Sequence, residues 1–279
     1  MLIDGKAVAA QVKQRLKTEA EELAKKGKTC GLAVIIVGED PASKIYVRNK
    51  IASCNEVGIQ SFCYEFPANA QEEEIIERIV ELNGDQNVDG ILVQLPLPKH
   101  LNERKILSYI DVEKDVDGFS PQQIGKLLLG ERCLPSCTPA GVMELLRAYD
   151  VQIEGKRAVV VGRSNTVGKP MAVMLLQKNA TVTVCHSRTQ NLSEITKQAD
   201  ILVVAIGKGK FITSDMVKEG AVVIDVGMNR IGGKLCGDVD FDAVSEKCSL
   251  ITPVPGGVGP MTVATLMQNT VTAAKNNVM

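Results

Sequence analysis

Apolar and polar positions along the chain alternate between two periods. Within residues 5–26, Val8, Val12, Leu16 and Leu23 recur near helical spacing among Lys and Glu, which predicts an amphipathic helix. Leu32 to Val37 (LAVIIV) is a continuous apolar run of strand length that ends at Gly38. The turn Glu39-Asp40-Pro41 follows, and a helix starting at Pro41 or Ala42 runs to about Val57 and stops at Gly58. Phe62 to Phe66 reads as a strand, Gln71 to Leu82 as a Glu-rich helix, and Gly90 to Leu95 (GILVQL) as a strand that leaves through Pro96-Leu97-Pro98, a rigid extended exit. Asn102 to Tyr109 is a short helix, VEKDVDGFSP a loop, and Ile124 to Leu129 an apolar stretch.

The loop CLPSCTPAG separates this part from the next. Thr138 before Pro139 reads as a helix cap followed by proline at the first helical position, and the helix continues through Val142 to Ala148. Ala158–Val161, Met171–Leu176 and Thr181–Cys185 then give strand, helix and strand. Ile201–Ile206 and Val222–Val226 supply two more strands, Gly232-Gly233 a turn, and Val263 to about Lys275 a last helix. Strands alternating with helices throughout predict an α/β protein built on parallel sheets.

The stretch Ala158–Arg188 is the most informative. Strand, Gly turn, helix and strand within about thirty residues form the unit that binds a dinucleotide. The usual G-x-G-x-x-G would put glycines at 162, 164 and 167; here Gly162 is followed by Ser164, Val167 and then Gly168. Gly162 can still make the tight turn and Gly168 can let helix approach strand, with backbone N–H groups at the helix start facing a pyrophosphate. The plain alternative is an α/β crossover that binds nothing. After Cys185 come His186, Ser187 and Arg188, without the acid that would take the ribose hydroxyls of NAD. Arg163 in the turn and Arg188, with Ser187, suit a 2′-phosphate, so NADP is expected over NAD.

Composition narrows the classes. The 279 residues suffice for two domains; 45% are hydrophobic, 23% charged, and the net charge is −1. With 3% aromatics, no Trp and no basic run, nucleic acid is not expected as a partner. No segment reads as a signal peptide or a membrane span, so a membrane partner is not expected and a cytoplasmic location is. Eight cysteines lie at 30, 54, 63, 133, 137, 185, 236 and 248, without a CxxC pair, and the two histidines are far apart in sequence; no metal site is expected, and the cysteines read as reduced.

Four features can carry chemistry. Tyr46 and Lys50, four apart on a helix, share a face. Y-x-x-x-K also occurs in short-chain dehydrogenases, but there the dinucleotide unit precedes the pair; the order here is reversed, so that assignment is rejected. Gln94 ends an apolar strand, where polar side chains of parallel sheets face the binding crevice. In KDVDG, Asp115 and Asp117 lie on a loop and can equally be solvated turn residues. In PGGVGP, Pro255–Pro260, three glycines in five residues suggest backbone lying close to a ligand, a mobile linker being the alternative.

SKIYVRNK, ILVQLPLP, KDVDGF, GRSNTVGKP and PVPGGVGPMT occur in this order. As a set they closely resemble the bifunctional methylenetetrahydrofolate dehydrogenase/methenyltetrahydrofolate cyclohydrolase family, over essentially the whole chain. The resemblance implies two α/β domains with an active-site cleft between them: a folate and catalytic domain, 1–137, to which the C-terminal helix 262–279 returns, and a Rossmann-like, doubly wound NADP domain, 138–261. It implies a homodimer built through the nucleotide domains. Lys50, Gln94 and Tyr46 become the catalytic residues; Tyr46, Asp117, Gly256, Gly257 and Pro260 the folate contacts; Gly162, Arg163, Ser164, Gly168, Ser187, Arg188 and Met228 the cofactor contacts. The implied chemistry is oxidation of methylenetetrahydrofolate with NADP and hydrolysis of the methenyl product to 10-formyltetrahydrofolate. Two other readings share the nucleotide unit: an NADP dehydrogenase for a different small substrate, and a non-catalytic NADP sensor. Folate binding at Asp117 separates the three.

Overall fold

The structure is a computed structural model that describes residues 1–277, without the side chain of Ala42. The last two residues of the expected C-terminal helix, 278–279, lie outside the described residues. The chain divides into two compact units, one of Gln11–Cys137 with the stretch from Val263 onward, the other of Met1–Ala10 with Thr138–Thr262.

The first unit follows a strand–helix alternation. Its elements are α1 (Gly5–Lys25, from Gln11 onward), β1 (Gly31–Val37), α2 (Pro41–Val57), β2 (Gln60–Phe66), α3 (Glu72–Gly84), β3 (Gly90–Val93), α4 (Glu103–Leu107) and α5 (Pro121–Leu129). The strands form a parallel sheet of order β2-β1-β3, with Val34 opposite Cys63 on one side and Leu92 on the other. The central β1 is buried along its whole length, as its unbroken apolar run requires, whereas the edge strand β2 alternates. Ile35, Val37, Ile91 and Val93 pack with Ile75, Ile79 and Leu82 of α3. Local signals set the helix ends. The Asp40 side chain accepts the Ser43 N–H and Pro41 opens α2; Gly58 closes it in the left-handed conformation. Gln71 and Glu74 form a capping box on α3. β3 stops two residues before the expected end, because Gln94 N–H still reaches Ile35 O at 2.8 Å but Pro96 has no N–H to give.

The second unit holds α6 (Cys137–Ala148, from Thr138), β4 (Arg157–Val161), α7 (Gly168–Gln177), β5 (Thr181–Cys185), α8 (Leu192–Thr196), β6 (Ile201–Val204), β7 (Val222–Asp225), the hairpin β8 (Asn229–Ile231) and β9 (Lys234–Cys236), α9 (Phe241–Ser245), β10 (Leu250–Ile251) and the first turn of α10 (Val258–Asn276). Five parallel strands lie in the order β10-β7-β6-β4-β5. The connections run outward in both directions from β4, so the sheet is doubly wound and its switch point lies between β4 and β6. Val159, Val161, Leu202, Val204 and Val223 share a core with Val217, Val239 and Val244.

Three boundaries differ from the sequence expectation. Residues 1–10 cluster with this second unit: Leu2 bridges Ile251 and Ile3 N–H donates to Ile251 O at 2.8 Å, extending the sheet past β10 with a segment too short to show a strand period. Thr138 is not the cap of α6, since the helix already includes Cys137; its hydroxyl meets that of Thr262 at 3.0 Å. α10 starts at Val258, so Pro260 sits in its first turn, where the missing proline N–H costs nothing.

Candidate functional site

In the first unit, α2 and the end of β3 bring Lys50 and Gln94 together. The Lys50 ammonium donates to Gln94 Oε1 at 2.9 Å, and Gln94 Nε2 donates to Leu95 O at 2.6 Å, so the amide is held with its oxygen toward the lysine. Tyr46, one turn earlier on α2, is about a third exposed, and burial raises its hydroxyl above the ordinary tyrosine value. The loop KDVDG is not a solvated turn. Asp115 is buried and accepts the N–H groups of Gly118, Phe119 and Ser120 at 3.1, 3.3 and 2.7 Å, and it bridges Ile91 of β3. Asp115 therefore folds the loop and presents Asp117. Burial pushes the Asp117 carboxyl up to about 6; the Lys50 charge opposes that shift and Asp115 adds to it. Cys137 stands beside Asp117, with its thiol donating to Val116 O at 3.2 Å and burial holding it well above the ordinary thiol range. One end of this unit thus offers a positioned amine, an amide and a carboxylate with remaining acceptor capacity.

In the second unit, Gly162 and Gly168 shape a cradle. Gly162 has φ of 133°, and a Cβ there would lie 2.3 Å from Ala205 O; a Cβ on Gly168 would lie 2.2 Å from Gly162 O. Only glycine permits this approach of β4, β6 and α7 at the switch point. The helix N–H groups are not aimed outward as expected: Ser164 Oγ accepts those of Val167 and Gly168 at 3.1 and 3.3 Å, and Ser164 O takes that of Lys169 at 3.1 Å. The Ser164 hydroxyl is an acceptor within the turn itself, and its side chain folds the turn. Arg163 is exposed at its rim. Past β5, His186 N–H donates to Thr189 Oγ1 and Arg188 N–H to His186 Nδ1, at 2.8 and 3.1 Å, which leaves Ser187 and Arg188 exposed on a fixed turn without an acidic neighbour in 185–188. The glycine cradle, two exposed guanidinium groups and a hydroxyl fit a 2′-phosphorylated dinucleotide.

Gly256, Gly257 and Pro260 belong to this second unit, not to the one carrying Lys50. Gly256 has φ of 108° and lies against Lys6, while Gly257 O occupies the place of a Cβ on Gly5. Met228 is exposed, with its methyl end 3.6 Å from where a Cβ on Gly259 would lie. Among the described residues no cluster of His, Cys, Asp and Glu could hold a metal ion, and no helix is long and apolar enough to cross a membrane.

The chain matches the model of the tetrahydrofolate dehydrogenase/cyclohydrolase catalytic domain over residues 3–117 and that of the NAD(P)-binding domain of the same family over residues 136–278. The chain belongs to the tetrahydrofolate dehydrogenase/cyclohydrolase family. The bifunctional protein FolD of Lachnoclostridium phytofermentans is 58% identical over 276 residues, covering 99% of this chain and 98% of that one. The crystal structure of the bifunctional methylenetetrahydrofolate dehydrogenase/cyclohydrolase of Campylobacter jejuni superposes with a TM-score of 0.97 at 53% identity, covering 99% of each chain. The Trypanosoma brucei dehydrogenase–cyclohydrolase, solved with NADP and an inhibitor, does so with a TM-score of 0.95 at 40% identity, over 100% of this chain and 98% of that one. Three groups at these sites carry no motif of their own in this member of the family. Cys137 is expected only as one of the reduced cysteines. Asp225 and Asp238 are both buried, and the glycines beside them, Gly227 and Gly237, are the signal they leave in the sequence.

Proposed function

We propose that this chain oxidises methylenetetrahydrofolate to methenyltetrahydrofolate with NADP and hydrolyses that product to 10-formyltetrahydrofolate, with the roles divided between the two clusters above. Family membership over nearly the whole chain supports the reaction pair. The observation that carries the residue roles is the Lys50–Gln94 hydrogen bond in the unit that also bears Asp117.

Asp117 accepts two parallel N–H bonds from the 2-amino-pyrimidinone edge of the pterin, a match only a carboxylate makes with both oxygens. Tyr46 lies along the folate ring system and limits its tilt. Bound NADP supplies the hydride acceptor for the first step. The two folate nitrogens that flank the one-carbon unit stabilise the methenyl cation, so that step needs positioning more than proton transfer. Hydrolysis does need proton transfer. Lys50 moves the proton at its Nζ as water adds to the methenyl carbon, and Gln94 keeps the amine in reach.

On the nucleotide side, Arg163, Ser187 and Arg188 hold the 2′-phosphate, Gly162 and Gly168 admit the diphosphate, Ser164 shapes the turn, and Met228, Gly256, Gly257 and Pro260 line the approach to the nicotinamide and the folate. The chain acts in the cytoplasm and pairs as a homodimer; the edge strand β5, with Thr181, Thr183 and Val184 exposed, is the surface available for that pairing. A coupled spectroscopic assay tests the whole reading: given methylenetetrahydrofolate, the protein forms reduced NADP with little methenyl build-up. Methenyl accumulation removes the role of Lys50, and no reduction of either NADP or NAD overturns the reaction.

A further inference from the structure

The second unit buries two carboxylates that face neither solvent nor a basic side chain's obvious site. Asp238 is 0% exposed and Asp225 3%. Three successive backbone N–H groups in the turn after β6 converge on Asp238: those of Ile206 and Gly207 on Oδ2 at 2.7 and 3.0 Å, that of Lys208 on Oδ1 at 2.8 Å. The Asn229 side-chain amide adds a fourth bond to Oδ1 at 2.9 Å. Asp225 in turn fixes Asp238: it accepts the N–H groups of Gly227 and Asp238 on Oδ1 at 3.0 and 2.9 Å and of Val239 on Oδ2 at 2.9 Å. There is no slack between them, since a Cβ on Gly237 would fall 1.8 Å from Asp225 Oδ2.

This arrangement is an anion nest of backbone N–H groups whose anion is part of the protein. What it holds is one wall of the switch point. Ala205, which begins the turn, gives its N–H to Val161 O at 2.8 Å and sets its own carbonyl where a Gly162 side chain would be. Asn229 follows Met228 directly. Two segments at the carboxyl ends of β6 and β7, 205–208 and 227–229, are therefore registered to one carboxylate.

We propose that Asp238 is a positioning residue for the dinucleotide: it acts through the turn after β6 and through Asn229, without touching the cofactor, and sets the width of the crevice in which NADP lies. This rests on the reading of the second unit as the NADP site. Asp238→Asn keeps the size of the side chain but turns one oxygen into an N–H donor. If the new amide nitrogen replaces Oδ2, the Ile206 and Gly207 N–H groups lose their acceptor; if it replaces Oδ1, Lys208 and Asn229 lose theirs. Either way two donors meet a donor, so the turn moves.

The test is direct titration of the folded chain with NADP in the absence of folate, followed by steady-state kinetics of the dehydrogenase. Asp238→Asn weakens NADP binding and raises its KM, each roughly tenfold, while kcat at saturating NADP changes less than about twofold. A residue that served only to keep the chain folded would lower the active fraction, and so kcat, and leave KM alone; that outcome overturns the proposal, as does unchanged NADP affinity. Asn229→Ala removes a single donor and decides the matter should Asp238→Asn not fold: roughly threefold weaker NADP binding supports the role, and wild-type affinity overturns it. Wild-type protein that binds NADP but reduces none of it would defeat the proposed reaction while leaving the titration, and hence this inference, readable.

Discussion

Each unit of this chain sets an aspartate near the carboxyl ends of its sheet, and the two are treated in opposite ways. Asp238 in the second unit receives four N–H donors and is sealed from solvent. Asp117 in the first is partly open and has the Cys137 thiol, a weak donor, beside it; burial outweighs the attraction of Lys50 and lifts its carboxyl to about 6. A carboxylate ringed by backbone N–H groups has its acceptor capacity spent on the fold. A carboxylate with a thiol for company keeps capacity for a ligand and is held in a less comfortable state until one arrives. With the proposed roles, the difference teaches where to look: the framing acid is satisfied from within, and the acid proposed to recognise folate is not.

The largest break in the comparison is expected at Lys50, the charge that faces Asp117. Lys50→Met keeps the length of the side chain and removes the proton carrier. Cyclohydrolase turnover from added methenyl substrate should fall on the order of a thousandfold, the range of a lost general acid–base group. Folate binding should survive, because Asp117 remains. Retention of full cyclohydrolase activity in this variant sinks the assignment.

Asp117→Asn comes next and separates recognition from framing within one substitution. An amide accepts only one of the two pterin N–H bonds, so kcat/KM for the folate should drop roughly a hundredfold in both activities. Stability should move the other way. The native carboxyl near 6 lies above the unfolded value of about 3.9, so the folded chain keeps a proton that the unfolded chain has already released between those values. The contribution from the protonated acid is present in full below about pH 4 and lost as pH rises through about 6. At pH 7.5 the ionised Asp117 therefore strains the apoprotein, and Asp117→Asn should stabilise it by on the order of 1 kcal/mol, read as a higher midpoint of thermal unfolding. Wild-type folate affinity should strengthen as pH rises through about 6, and the variant should lack that dependence. A less stable Asp117→Asn apoprotein would mean that the carboxylate is framing after all.

Part of the fold and the Asp117 half of this contrast are legible in the sequence, and the rest is not, for physical reasons. Elements with their own periodicity or caps were legible: β1 from LAVIIV, α2 from Asp40-Pro41 and Gly58, the β4–α7–β5 unit from its glycines. The two-residue β10 and the five-residue α8 and α9 were not, because one or two turns are too short to carry a period and tertiary packing decides them. Lys50, Gln94 and Asp117 stand out as candidates through ordered motifs, but nothing in KDVDG says that Asp115 is the one that folds the loop. That distinction depends on which carboxylate finds the N–H groups of residues 118–120. Asp225 and Asp238 were invisible for the same reason. Apart from the Asn229 amide, their partners are backbone groups, which leave no mark on the sequence beyond the glycines that make room for them.

The smallest effect sharpens the comparison inside the second unit, where a framing acid and a recognising cation lie on one crevice. Arg163 is exposed, and an exposed guanidinium–phosphate pair is screened by solvent and salt. Arg163→Ala should therefore raise the KM for NADP only about tenfold, and less at high ionic strength, while the KM for NAD changes less than about twofold. Cyclohydrolase measured from methenyl substrate should suffer less than the dehydrogenase, since it needs no cofactor. Asp238→Asn has a different signature: a displaced wall does not distinguish the two dinucleotides, so NADP and NAD should weaken together and with little salt dependence. The ratio of NADP to NAD affinity is then the deciding number. A fall in that ratio for Arg163→Ala with constancy for Asp238→Asn places recognition at the rim and framing beneath it. Equal loss of both cofactors in Arg163→Ala would move the 2′-phosphate contact to Ser187 and Arg188 and leave Arg163 as part of the turn.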